Sequence, residues 1–199
     1  MPHDAGAAEP FVVSAFYLFA RIESPETLRQ TLLRLVGRFN ILGTMLVAPE
    51  GIIGTVAGSR RETDQLFDAI REDPRLRNLQ TKESYCAGAP FLRAKVKLKK
   101  EIVTMGQPDL DPVQDAGKYV APEDWNALIQ DPSVILIDTR NDYEVEVGTF
   151  QGALNPETQS FRDFPDYAAR TLPANKDQKI AMFCTGGIRC EKSTTYLKS

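Results

Sequence analysis

Residues 180–193 read Ile180-Ala181-Met182-Phe183-Cys184-Thr185-Gly186-Gly187-Ile188-Arg189-Cys190-Glu191-Lys192-Ser193. The apolar run 179–184 has the composition of a strand covered on both faces. Two glycines follow, and residues 188–198 read as a helix. A strand that ends in a glycine loop and opens a helix lies at the carboxyl edge of a parallel α/β sheet, where ligands bind. Gly186 and Gly187 let successive backbone N–H groups turn inward as an anion-binding nest, and the helix N-terminus adds positive potential. Thr185, Gly186, Gly187, Ile188 and Arg189 are therefore the candidate anion-binding loop, and Cys184 is the candidate nucleophile. In such a field a thiolate is stabilised without an imidazole, its pKa pulled below the free value of about 8.5. The bland alternative makes Cys184 a small core residue at a strand end, as free cysteines commonly are. The strand, glycine loop and helix around it favour the reactive reading. Phosphatases of the Cys-x5-Arg type share this arrangement, but Cys190 stands where their arginine would, which disfavours that class.

The rest of the composition narrows the chemistry. The only histidine is His3, inside the polar leader 1–10, which is expected to be flexible. Ser/His and Cys/His hydrolases and multi-histidine metal centres therefore lack their imidazole. Three cysteines make no disulfide framework, and no pair has metal-clip spacing, so no metal site is expected. The longest uncharged apolar stretch, 11–20, falls short of the roughly 20 residues of a membrane span and has neither a basic leader nor a cleavage pattern. A cytoplasmic protein with no membrane partner is expected. At 199 residues, 42% hydrophobic and 26% charged, the chain has an ordinary globular composition for one large or two small domains. Charge favours two: residues 1–100 carry 15 Lys/Arg against 11 Asp/Glu, whereas 101–199 carry 9 against 16. A polyanion would meet the first half more readily.

Upstream, residues 11–20 read as a buried strand, and Ser24-Pro25 opens a helix over 25–39 with Leu28, Leu32, Leu35, Val36 and Phe39 at helical spacing. Strands 43–48 and 52–57 form a hairpin around Pro49-Glu50-Gly51, Ser59 caps a helix through Glu72, and a last strand region covers 76–100. This order of strand, helix, strand, strand, helix, strand predicts an α+β ferredoxin-like domain over 11–100. Residues 105–118, with two prolines and two glycines, read as part of a linker or wrapping arm (101–118). From 119 the pattern alternates: an extended Val120, a helix over 122–130 burying Trp125, Leu128 and Ile129, a strand over 134–138, a helix over 161–171, then the strand and helix quoted above. That predicts an α/β domain with a parallel sheet over 119–199.

Outside the loop, Arg93, Lys95, Lys97 and Lys99 alternate with Ala94, Val96 and Leu98, so a strand would turn all four basic residues to one face. Such a face could track RNA phosphates; equally, edge strands carry lysines to prevent aggregation. Tyr85, Phe91 and Phe16 could stack on bases or supply packing area. Cys190, six residues after Cys184, either resolves an oxidised or persulfidated Cys184 or is a buried residue of the first helical turn.

The loop resembles that of the rhodanese superfamily, whose active-site cysteine follows a central strand. Ile137-Asp138-Thr139-Arg140 resembles that family's strand-end Asp-x-Arg, Tyr143 through Gly148 its Glu-x-x-x-Gly segment, and Gly152-Ala153-Leu154-Asn155-Pro156 its Gly-Ala turn. Gly148-Thr149-Phe150 replaces the common Gly-His-Ile. Asp138 and Arg140 are read as a structural ion pair beneath the loop, with Arg140 as an oxyanion contact the lesser alternative. Together with Leu46 through Val56 upstream, residues 184–193 are similar to the rhodanese-type tRNA uridine(34) hydroxylases, which join a ferredoxin-like (acylphosphatase-like) domain to a rhodanese domain. Ile53 departs from that family, which usually has Asn there. The resemblance implies oxygen-dependent 5-hydroxylation of wobble uridine in tRNA, Cys184 as the essential cysteine, tRNA as partner and molecular oxygen as co-substrate, with no cofactor motif evident. It also implies a rhodanese domain truncated at the C-terminus, short of one strand and one covering helix. Two other functions fit the same loop: a sulfurtransferase carrying a persulfide on Cys184 from a sulfur donor, and a non-catalytic anion- or RNA-binding module.

Overall fold

The structure, a computed structural model, describes residues 10–172 and 177–199. His3 and the rest of the leader through residue 9 lie outside the described residues, as do 173–176. The chain divides into two compact units, Met1–Ile102 and Val103–Ser199.

The first unit is a mixed five-stranded sheet covered on one face by two helices. Its elements run β1 (Phe11–Phe19), α1 (Pro25–Arg38), β2 (Leu42–Ala48), β3 (Gly51–Gly58), α2 (Arg60–Arg71), β4 (Thr81–Cys86) and β5 (Ala94–Leu98), in the sheet order β4-β1-β3-β2-β5. Antiparallel pairing joins β1 to β3 and β4 and joins β2 to β3, whereas β5 runs parallel to β2. The residue types explain the layers. Leu28, Leu32 and Val36 of α1 and Leu66, Phe67 and Ile70 of α2 recur at helical spacing, and they pack on Phe16, Met45, Val47, Ile52, Val56 and Val96 of the sheet. Phe16 is thus a core residue, edge-on to Phe67 at 5.3 Å. Ser59 starts α2 with a full capping box, its side chain accepting from the Glu62 amide while Glu62 accepts from Ser59. Gly51 opens β3 at φ 147°, where a Cβ would lie 2.1 Å from the Leu18 carbonyl oxygen.

One expectation here is corrected. The strand region 76–100 is a 3-10 turn (Pro74–Leu76) and two strands on opposite edges of the sheet, with 87–93 crossing between them. Gly88 and Pro90 interrupt the run, and a basic, half-apolar edge strand does not announce its ends.

The second unit continues with α3 (Pro112–Asp115), α4 (Pro122–Gln130), β6 (Val134–Asp138), α5 (Asp142–Val145), α6 (Phe164–Thr171), β7 (Lys179–Phe183) and α7 (Ile188–Lys198). β6 and β7 pair in parallel, and Leu154 adds a parallel bridge to Ile137 on the far side of β6. Met105, Ile137, Phe161, Phe164, Tyr167 and Ala168 form the core. The segment read as a linker or wrapping arm divides: Ile102 closes the first unit, donating its amide to Glu50 Oε1 at 2.6 Å, while 103–118 packs on the second. Met105 enters the second core, and the Gly117 amide donates to Thr194 Oγ1 of α7 at 2.8 Å. One local expectation changes: α4 buries no residue completely, because Trp125, Leu128 and Ile129 lie half-buried. Among the described residues no helix is long and apolar enough to cross a membrane.

Candidate active site

Cys184 stands one residue past β7, and Gly187 is the N-cap of α7. Gly187 adopts φ 98°, a left-handed conformation that glycine takes at no steric cost. This lets the chain fold its own amides back: the Gly187 N–H donates to Cys184 Sγ at 3.0 Å. The thiol group of Cys190 also donates to that sulfur, and the amides of Cys190 and Gly186 contribute. Burial opposes ionisation, but these donors, the Cys190 thiol first, hold the Cys184 pKa far below the ordinary thiol value. The pair divides the charge unequally. The amides converge on Cys184, so the thiolate resides there and Cys190 keeps its proton, its pKa driven up by donating to Cys184 and by burial. Thr139, at the end of β6, holds Cys190 from behind with its hydroxyl 3.6 Å from Sγ.

Of the five loop residues expected to bind an anion, Gly186 and Gly187 turn their amides to the Cys184 sulfur, and the Arg189 guanidinium lies beside it. Ile188 instead buries its side chain, 8% exposed. Thr185 turns its hydroxyl to Glu144 Oε1 at 2.6 Å. The Arg189 guanidinium forms a two-pronged ion pair with Glu144, at 2.6 and 2.8 Å, and reaches the Thr185 hydroxyl at 3.1 Å. This clamp fixes the arginine beside the thiolate. It also lowers the Glu144 pKa to about 2, the Arg189 hydrogen bonds outweighing burial.

Asp138 and Arg140 form the expected ion pair. Asp138 is wholly buried at the end of β6 and accepts from Arg140 Nη2 at 2.6 Å, from Arg140 Nε at 2.9 Å and from Thr149 Oγ1 at 2.8 Å. Burial works to raise its pKa, but the bonds from Arg140 and then Thr149 prevail, and the carboxyl lies below the usual range. The remaining Arg140 donors go to the carbonyls of Glu144 at 3.2 Å and Gly148 at 2.6 Å. Arg140 therefore secures the backbone of 144–148, and through it the Glu144 side chain that holds Arg189. Thr149, the departure from Gly-His-Ile, supplies a hydroxyl to this clamp, and its neighbour Phe150 packs edge-on against Phe183 at 4.8 Å.

Glu144, Thr139 and Thr149 are the site residues the sequence did not expose. Glu144 lay inside a quoted motif, but its partner is 45 residues away, and no local pattern signals that contact. The basic stripe Arg93, Lys95, Lys97 and Lys99 belongs to the first unit, along edge strand β5. Of its apolar neighbours Val96 alone is buried; Ala94 and Leu98 are exposed. Tyr85 is exposed on β4, and Phe91 is half-buried.

The comparisons with known proteins follow the same division. Residues 11–102 match the UPF0176 acylphosphatase like domain, and residues 121–199 match the Rhodanese-like domain. The two domains stand in the order of the UPF0176 architecture. Its acylphosphatase-like domain is joined to a rhodanese-like domain, and Cys184 occupies the loop after the second strand of the latter's parallel pair. Solved structures resemble the chain more remotely. The BLUF protein BlrB in its dark state is 22% identical over 59% of this chain and 91% of its own, with a TM-score of 0.41. Full-length HypF in a phosphate- and nucleotide-bound form is 16% identical over 63% of this chain and 16% of its own, at 0.38. BlrP1 of Klebsiella pneumoniae is 16% identical over 83% and 36%, at 0.35. Likenesses this distant bear on no question of activity.

Proposed function

We propose that this chain is a tRNA-modifying enzyme that 5-hydroxylates wobble uridine 34 in an oxygen-dependent reaction, with Cys184 as the reacting group. One observation carries the reading: amide, thiol and guanidinium donors converge on Cys184 Sγ and hold its pKa down, with no histidine among the described residues. The two-domain architecture supports it, being that of the hydroxylase family the sequence resembles. In this reading the loop holds the sulfur as a nucleophile, and the Glu144–Arg189 pair orients the positive charge beside it. Molecular oxygen is the co-substrate, tRNA the partner, and the cytoplasm the site of action.

Nucleoside mass spectrometry of cellular tRNA tests the proposal. Deleting the gene is expected to remove 5-hydroxyuridine, the wild-type gene to restore it, and Cys184→Ala to fail to restore it. Intact modification in the deletion strain would overturn the reading. A second reading, sulfur transfer, is favoured by the same donors, because a persulfide at Cys184 is also an anion needing stabilisation. It predicts that Cys184 gains the mass of one sulfur on exposure to a donor and releases thiocyanate with cyanide. A third reading, a binding module without turnover, predicts that Cys184→Ser leaves the cellular role unchanged.

A further inference from the structure

The sheet of the first unit has one face without helices, and its charge is one-sided. Phe16, Met45, Val56 and Val96 face α1 and α2, so alternation along each strand turns their neighbours to the other face. One row of registered partners crosses all five strands there: Lys82 opposite Ala15, Ala15 opposite Thr55, Thr55 opposite Thr44, and Thr44 opposite Lys95. In the next row Lys97 stands opposite Leu46, and Arg93 and Lys99 continue the same face just beyond the ends of β5. Lys82 and Lys97 are exposed and Lys95 is half-buried; none of them forms an ion pair with another described residue. The centre is small and uncharged, with Ala15 and Thr55 exposed.

Among the described residues no strand of the first unit turns a carboxylate to this face. The strand carboxylate of the first unit, Glu83, lies on the helix side of β4, where it pairs with Arg60 of α2 at 2.7 Å. Lysines placed only to protect sheet edges need not share a face, nor would they require that face to be cleared of acids. Here both edges are basic on one face of a chain whose net charge is −3. At strand spacings of about 4.8 Å the row from Lys82 to Lys95 spans roughly 19 Å, wider than a single phosphate needs.

We propose that the helix-free face of the first unit's sheet is an RNA-binding surface. Phosphates meet Lys82 at one rim and Lys95 and Lys97 at the other, and the nucleotide chain crosses the trough of Ala15, Thr44 and Thr55. The proposal rests on the tRNA reading for the class of partner, and it assigns the affinity to a surface separate from Cys184.

The test measures binding of the full chain to a fluorescein-labelled anticodon stem–loop RNA by fluorescence anisotropy across a salt series. Lys82→Gln/Lys95→Gln/Lys97→Gln is expected to weaken binding at least about tenfold and to make the slope of log affinity against log salt shallower by roughly 2 to 3. Arg34→Gln/Arg61→Gln/Arg77→Gln removes the same charge from exposed positions outside that face and is expected to change affinity less than about twofold. If the triple lysine variant does not fold, Lys82→Gln and Lys97→Gln singly should each reduce the slope by about one. No RNA binding by the wild-type chain, an unchanged slope in the lysine variants, or equal loss in the arginine control would overturn the proposal. The Cys184→Ala protein should bind the RNA as wild type does. If 5-hydroxyuridine stays intact in the deletion strain while the lysine variants still lose affinity, the hydroxylase reading falls and this surface stands.

Discussion

In the first unit the fully buried residues are mostly apolar, Leu66, Ile52, Val47 and Ala57 among them, whereas the second buries Asp138, Lys192 and Ser193 as completely as Ile137. Among the described residues, seventeen make up the first buried apolar cluster and six the second. Apolar burial at about 25 cal/mol per Å² is enough to order two helices on a sheet. It has no direction, however, and cannot aim a guanidinium at a sulfur. The second unit uses charge-assisted hydrogen bonds for that, and each has a defined geometry. The difference shows where each unit is vulnerable: the scaffold to cavities, the Cys184 loop to loss of a single partner.

The sharpest way to break this contrast is Asp138→Ala, which strands Arg140 and frees Thr149. Removing one member of a buried pair costs about 3–5 kcal/mol. Trp125, the single tryptophan, lies in the second unit against Phe183 and Phe150. Denaturation followed by its fluorescence should therefore shift strongly, while far-ultraviolet dichroism should retain the signal of the first unit. Equal loss of both signals at one midpoint would show that the units are not separately stabilised.

Acid titration sharpens the contrast next. The Glu144 pKa is lowered to about 2 in the folded chain, against about 4.3 unfolded. The stability it contributes is thus fully present above the unfolded value and is lost as pH falls through the range from about 5 to 2. This amounts to up to about 3 kcal/mol, since its side chain is 19% exposed in the pair with Arg189. The tryptophan signal should lose stability in that window, and Glu144→Gln should flatten the loss. In the first unit the pairs Arg60–Glu83 and Arg75–Asp73 are more open to water and should contribute about 0–1 kcal/mol each. The smallest effect belongs to Ser59→Ala, which removes a cap and should cost about 1 kcal/mol, seen in the dichroism of the first unit and not in Trp125 fluorescence.

The same contrast explains what could be read from the chain itself. Local physics writes the first unit openly: Leu28, Leu32 and Val36 at helical spacing, Pro25 and Ser59 at helix starts, and a hairpin at Pro49-Glu50-Gly51. It failed at β4 and β5, whose short polar sequences are placed by their sheet partners rather than by their own pattern. In the second unit Cys184 and the glycine loop were legible because strand, turn and helix are contiguous. The Glu144–Arg189 clamp was not, since α5 is four residues long and its partner comes from another element. Nor was the donor role of Cys190, which depends on the phase with which α7 leaves Gly187.

That Cys184 is a thiolate held by its amide, thiol and guanidinium neighbours, with no histidine among the described residues, is tested most directly by its rate of alkylation with iodoacetamide across pH, resolved for its own peptide by mass spectrometry. The rate is expected to be half-maximal below neutral pH, with that midpoint moving upward in Cys190→Ala as the first of the donors is lost. A half-maximal rate at or above about 8.5, the value of a free thiol, and unmoved by Cys190→Ala, would contradict it.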